Sequence, residues 1–171
     1  MHLTTRKITV SAVMAALIFI ITFLIHIPVP GTSAAYINPG DAIIYLSAYI
    51  IGGVPAMFAA GIGSMLADIA GNAVVYAPAT LVIKAVMGLV CGYMTVKPSL
   101  SRFVFACIVG GAVMVGGYGL FEYFYFGLAY AAGSVLFNLI QWAAGMAIAV
   151  VLYKPAVLMR KTYRFRKELG K

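Results

Sequence analysis

Twenty consecutive residues, Ile8 to Ile27, contain no Asp, Glu, Lys or Arg. At ~1.5 Å per residue, a helix of that length covers roughly the 30 Å hydrocarbon core of a bilayer. Lipid offers no partner for backbone N–H and C=O groups, so such a run crosses as a helix that satisfies them internally. Further apolar runs follow it. Only 9% of the 171 residues are charged and 64% are hydrophobic, whereas soluble domains carry about 25% charged residues. With a mean hydropathy of +1.04, the chain reads as an all-α integral membrane protein. No long polar segment divides it, so residues 1–171 form a single membrane domain. Arg6 and Lys7 precede the first run, and Ser33-Ala34-Ala35 loosely resembles a cleavage site. A signal core is about 7–15 residues, so the run is expected to stay as a membrane helix.

Breaks at glycine and proline divide the chain into six helices. Ile8–Ile27 ends at Pro28 and Pro30, and PVPGTSAAYINPG follows as an uncharged loop. Asp41, after Pro39-Gly40, is expected to cap a short helix, Ala42–Ile51. Ten residues cover only about 15 Å, so that helix must tilt, start earlier or begin below the membrane surface. Gly52-Gly53 end it, and Pro55 opens the third helix, which runs to about Ala70. Pro78–Met94, Arg102 to about Tyr125, and Ala132 to Tyr153 complete the set. Gly110, Gly111, Gly116, Gly117 and Gly119 suggest that the fifth helix is closely packed on several sides. Residues 154–171 form a basic tail.

Six helices put both termini on one side. Eleven of the twelve basic residues fall on that side: Arg6, Lys7, Lys97, Arg102 and seven in the C-terminal end. The positive-inside rule therefore makes both termini cytoplasmic. The loop after the first helix, the turn at Asn72 and the turn near Gly127 face outward. The twelfth basic residue, Lys84, is inside a helix.

Ionisable side chains within apolar sequence are costly and mark functional sites by default. Asn38, Asp41, Asn72, Tyr76, Tyr118, Glu122, Tyr123, Tyr125 and Asn138 lie at or near the outward ends of their segments. Lys84 is one to two turns in from the same side. If the bundle closes, these groups converge on one outward-facing pocket, with Tyr36 in the loop above it. Glu122 sits in FEYFYF, where a carboxylate among aromatic rings would grip a flat heterocycle by stacking and one directed hydrogen bond. Each residue also has a purely structural reading. Tyrosines such as Tyr123 and Tyr125 collect at membrane interfaces. Lys84 would pair with Asp68 or Glu122 or snorkel outward. Asp41 and Asp68 would serve as caps or pairing partners, and Gln141 would make an interhelical hydrogen bond.

No nucleophile elbow, HExxH or Walker motif is present, which points away from an enzyme and from a complete pump. Cys91 and Cys107 lie in apolar runs and read as buried thiols, without metal spacing. The basic residues do not form an aromatic-interleaved face, so nucleic acid is not an expected partner. No resident cofactor or metal is expected. Ala12 and Ala16 form a small-xxx-small pair on one face of the first helix, suited to packing another helix inside or outside the domain.

Taken together, several features resemble the substrate-binding S components of energy-coupling factor (ECF) vitamin transporters. These are Ala12 and Ala16, the Asn38-Pro39-Gly40-Asp41 entry to the second helix, the GxxxADIAGN stretch ending at Asn72, and YAPATLVIKAVMG from Tyr76 to Gly88. The resemblance is greatest to the riboflavin-type branch, which also holds carriers proposed for pyrimidine and pyridine vitamins. It implies a cell-membrane protein, of bacterial type, that captures a vitamin from outside. It also implies a membrane T component and two ABC-type ATPases as partners, the latter consuming ATP, with Ala12 and Ala16 at the contact. Transport would proceed by toppling in the bilayer, with the loop after the first helix as an outer gate. The substrate-binding set expected on this reading is Glu122, Lys84, Asn38, Tyr36, Asn72, Tyr76, Tyr118, Tyr125 and Asn138. Hydroxymethylpyrimidine or a pyridoxine-type ring is favoured, with riboflavin next. An autonomous small transporter or channel is the alternative, and a structural subunit without ligand is a third.

Overall fold

A computed structural model describes residues 5–28 and 36–169, with side chains described as far as residue 164. His2, most of the loop after the first helix, and the side chains of Arg166, Lys167 and Lys171 lie outside the described residues. The described chain is helical apart from one short ladder. Its elements are α1 (Thr5–Leu24), β1 (Ile27–Pro28), β2 (Tyr36–Ile37), α2 (Gly40–Ile51), α3 (Gly53–Ala70), α4 (Ala77–Met94), α5 (Leu100–Phe126), α6 (Leu128–Val151) and α7 (Tyr153–Leu169). β1 and β2 pair antiparallel, Ile27 opposite Ile37 and Pro28 opposite Tyr36. This ladder ties the two ends of the first loop together.

α1, α3, α4, α5 and α6 are each long and apolar enough to cross a membrane. They pack side by side, α1 on α3, α3 on α4, α4 on α5 and α5 on α6. α2 touches all five. Its 12 residues, about 18 Å of helix, are buried except at Ile43. Apart from Asp41 and Ser47, α2 is apolar on every side, as a helix sheathed by protein should be. It is shorter than the five helices around it, and protein rather than open space covers it. The second of the six expected helices thus packs among the five candidate spans.

Close approach depends on glycine where helices cross. A Cβ on Gly88 would stand 2.7 Å from the Ala56 carbonyl oxygen, so α3 and α4 meet backbone to backbone. Gly111 of α5 leaves the room occupied by the Trp142 indole, which donates to the Cys107 carbonyl at 3.0 Å. Gly116 and Gly119 face open space, so α5 is less enclosed than its glycine content suggested.

The basic tail is a helix. Arg160 of α7 is buried and donates to the carbonyls of Tyr49 (2.8 Å), Thr95 (2.7 Å) and Val96 (2.7 Å). These carbonyls belong to the last turn of α2 and the exit of α4, where helix ends leave acceptors without intrahelical donors. The guanidinium also lies 4.5 Å above the Tyr49 ring. Arg160→Met removes three charge-assisted bonds together. It is expected to destabilise the fold by about 2–4 kcal/mol, read as a lower melting temperature in detergent. An unchanged melting curve would show that α7 is not needed to hold α2 and α4.

Candidate functional site

Polar side chains recur one helical turn apart on the inner faces of four helices. Ser64 and Asp68 do so on α3; Tyr76, Thr80 and Lys84 at and within α4; Tyr118 and Glu122 on α5; Asn138 and Gln141 on α6. Residues spaced by three or four share a helix face. Together with Thr22, Tyr36 and Asn38 they line one cavity with an empty volume of about 450 Å³, counting its open mouth. Between the side-chain walls there is room for roughly three water molecules. The site is thus polar and narrow, where a bilayer protein would otherwise be packed with apolar groups.

Seven of the nine expected residues line this cavity: Glu122, Lys84, Asn38, Tyr36, Tyr76, Tyr118 and Asn138. Asn72 does not. It is exposed in the turn between α3 and α4, at φ 61°, a left-handed conformation that Asn adopts more readily than most residues. Tyr125 does not either. It is 61% exposed in the last turn of α5, stacked on Phe121 and edge-on to Phe126. Tyr123 and Phe124 are also exposed, so three of the rings in FEYFYF stand away from Glu122.

A network fixes one wall. Lys84 Nζ donates to Asp41 Oδ1, and both side chains are almost fully buried. Gln141 Nε2 donates to Asp41 Oδ2 at 2.9 Å, while its Oε1 accepts from the Asn38 backbone N–H at 3.1 Å. Asp41 is therefore no cap: its two oxygens are taken by Lys84 and Gln141, and Asn38 Oδ1 instead accepts from the N–H of Gly40 at the start of α2, at 2.8 Å. Asp41 anchors Lys84, which the sequence suggested would pair with Asp68 or Glu122. Lys84 Nζ also lies 5.4 Å from the Tyr118 ring centroid, within cation–π range.

On the opposite wall Glu122 is fully engaged. Tyr76 Oη donates to Oε1 at 3.1 Å and Ser134 Oγ donates to Oε2. Tyr76 also shares a 3.0 Å hydrogen bond with Tyr130. Burial, with help from Tyr130 and Glu122, pushes the Tyr76 phenol well above its usual range, so it stays a donor. Tyr36, reaching in from β2, donates to Asp68 Oδ1 and stacks on His26 with ring centroids 3.8 Å apart. Burial and the Asp68 carboxylate likewise push the Tyr36 phenol up. Burial pushes the His26 imidazole down, favouring its neutral form.

Three buried polar atoms in the lining have no hydrogen-bond partner among the described residues: Thr22 Oγ1, Asp68 Oδ2 and Asn138 Nδ2. Unsatisfied groups in an apolar setting cost ~1–3 kcal/mol each, more when charged, and a polar partner at these atoms would recover that cost. One is an acceptor, one a donor, and the hydroxyl serves as either. Thr22, Ser64, Asp68, Thr80 and Gln141 line the cavity although the sequence reading did not put them in the binding set. Turn-by-turn spacing marks Ser64 with Asp68, Thr80 with Tyr76 and Lys84, and Gln141 with Asn138, whereas nothing in the sequence marks Thr22. Among the described residues, no three His, Cys, Asp or Glu side chains cluster closely enough to hold a metal.

Comparison with known proteins finds a matching family model and related proteins. A family model described as the S component of ECF-type riboflavin transporters matches residues 2–158. An uncharacterized protein of Pyrococcus woesei is 35% identical over 128 residues, covering 74% of this chain and 85% of its own. The thiamine precursor transporter HmpT of Lactococcus lactis subsp. cremoris (strain MG1363) is 26% identical over 147 residues, covering 86% of this chain and 85% of its own.

Proposed function

This chain belongs to the family of ECF-type riboflavin transporter S components, and we propose from that premise that it captures a single-ring vitamin or vitamin precursor in the polar cavity. The three unpartnered buried atoms carry this reading. A pyrimidine or pyridine bearing an amino or hydroxymethyl group offers a donor to Asp68 Oδ2 and a ring nitrogen to Asn138 Nδ2. The rings of Tyr36, Tyr76 and Tyr118 supply flat apolar surface around it. Hydroxymethylpyrimidine and pyridoxine-type compounds come first, and the thiamine-precursor relative favours the former. Riboflavin, the substrate class in the family model's description, comes next.

The remainder of the reading follows the family. The protein sits in the cell membrane with its basic end in the cytoplasm, where eleven positive charges gather. It receives cargo from outside and delivers it by toppling against a T component that two ABC-type ATPases drive. Ala12 and Ala16 form the contact. ATP is used by those partners, and the S component itself carries out no chemistry.

Calorimetry of the purified chain against a panel of water-soluble vitamins tests the capture step. Tight binding of a pyrimidine or pyridine compound is expected, and a panel in which nothing binds removes the proposal. Asp68→Asn keeps the shape of the side chain and an acceptor for Tyr36 but loses the negative charge. Affinity for the bound vitamin is expected to fall about 10–100-fold, the loss of one charge-assisted hydrogen bond. The melting temperature should change little. Equal affinity in Asp68→Asn and the parent would take Asp68 out of the binding set.

A further inference from the structure

We infer that a groove between α1 and α7, at the basic end of the bundle, is a binding site for an anionic phospholipid. This goes beyond vitamin capture and involves a face of α1 different from that of Ala12 and Ala16. The groove has an empty volume of about 750 Å³, counting its open side. Val10, Met14, Ile50, Leu158 and Met159 make its walls apolar. Leu158 is 68% exposed and Met159 50% exposed, although α7 is not among the helices fit to cross a membrane.

Charge selects the occupant. Arg6 closes the groove at one end. Its Nη2 donates to the Tyr163 carbonyl at 2.9 Å and its guanidinium lies 4.9 Å over the Tyr163 ring, which fixes its position. Its Nη1 is buried and has no hydrogen-bond partner among the described residues. The one ion pair among the described residues, Lys84 with Asp41, is in the cavity wall. Arg6 thus places a held guanidinium beside an apolar trough, with no acidic partner among the described residues. Lys7, Arg160 and Arg164 line an adjoining cavity that shares Ile50 and Tyr163 with the groove. A phosphate matches the guanidinium fork, and an acyl chain matches the trough. A helix with exposed apolar residues among Lys154, Lys161 and Arg164 has the make-up of one that lies in the membrane interface. Basic pockets between helices at that level are suited to anionic head groups.

The test uses the full chain in nanodiscs of equal phosphatidylglycerol and phosphatidylcholine, extracted gently and weighed by native mass spectrometry. Phosphatidylglycerol should be retained over phosphatidylcholine by roughly five-fold, the preference expected of one basic contact near the surface. Arg6→Gln should abolish the preference. Met159→Glu should do the same from an exposed position whose replacement breaks no buried contact. Arg102→Gln, exposed and outside the groove, should leave it intact. Equal retention of the two lipids by the parent chain, or an unchanged preference in Arg6→Gln and Met159→Glu, would overturn the site. So would displacement of the lipid by millimolar glycerol phosphate, which would make this a free-anion site without a role for the trough.

Discussion

Lys84→Met is expected to lower the melting temperature by about 10 °C, the largest stability loss of any single substitution in the cavity wall. The pair it breaks joins α4 to α2, and the two side chains are only 3% and 1% exposed. Removing one partner of a buried ion pair costs about 3–5 kcal/mol, since the remaining charge has neither water nor a counter-ion. In a chain of this size each kcal/mol moves the midpoint by about 2–4 °C. After the substitution Asp41 keeps only the 2.9 Å bond from Gln141. The companion variant separates charge from packing. Asp41→Asn combined with Lys84→Met leaves an acceptor for Gln141 and no buried charge, and most of the lost stability should return. A double-mutant cycle then gives a coupling energy of several kcal/mol. Additive losses in the two single variants would mean that the pair contributes nothing as a pair. Binding gives a second readout, because Lys84 faces the cavity whereas Asp41 does not line it. A ligand that contacts the ammonium will bind the stable double variant weakly, and one that does not will bind it normally.

The helices were legible because the same residues that make them apolar also punctuate them. Gly52-Gly53, Tyr76 through Pro78 and Ser99 fall at the breaks. Boundaries moved by a few residues where capping decided them. Ser99 Oγ accepts from the Arg102 N–H, so α5 starts at Leu100. The central place of α2 was not legible. Ala42 to Ile51 holds no charged residue and, Ser47 and two tyrosines apart, is aliphatic, and a helix without a polar face carries no sign of what surrounds it. The helical basic tail was missed for a related reason. Arg160 bonds carbonyls more than sixty residues away in sequence, and charge composition alone reads as a solvated end.

In the cavity, residue types and spacing indicated which side chains face inward, but not which of them meet. An aspartate directly after Pro-Gly has the local signature of a cap, and only the return of α4 and α6 against α2 brings Lys84 and Gln141 to it. Glu122 drew attention as the carboxylate among aromatic residues, yet its two oxygens are already taken by Tyr76 and Ser134. Asp68, discounted as a capping or pairing residue, is the carboxylate with an oxygen left over. Asn72 and Tyr125 lie outside the cavity lining. Each is the right kind of residue at the right end of the chain, but one is committed to a left-handed turn and the other to an exposed aromatic stack.

Ala12→Trp or Ala16→Trp is expected to reduce ATP-driven uptake to the level of vesicles without the ATPases, while vitamin affinity and melting temperature stay close to the parent. Both alanines are exposed on α1, where they floor an apolar groove walled by Ile8, Phe19, Phe58 and Leu66. Its empty volume is about 1150 Å³, counting its open side. The hollow exists because positions 12 and 16 are small; an indole at either would fill it and keep a partner helix at a distance. The fold itself uses another residue of the helix. A Cβ on Gly63 of α3 would collide with the Ala15 backbone, so α1 and α3 are joined at Ala15, while Ala12 and Ala16 remain exposed in the open groove beside that seam. A bulky side chain there disturbs no buried contact of this chain. Ligand binding by calorimetry and uptake by vesicles reconstituted with a T component and two ATPases should therefore separate. If uptake persists in both tryptophan variants, the groove is only a lipid-facing hollow and the partner docks elsewhere. If binding falls in parallel with uptake, the substitutions have damaged the fold, and Ala15→Trp, which must do so, sets the scale for that damage.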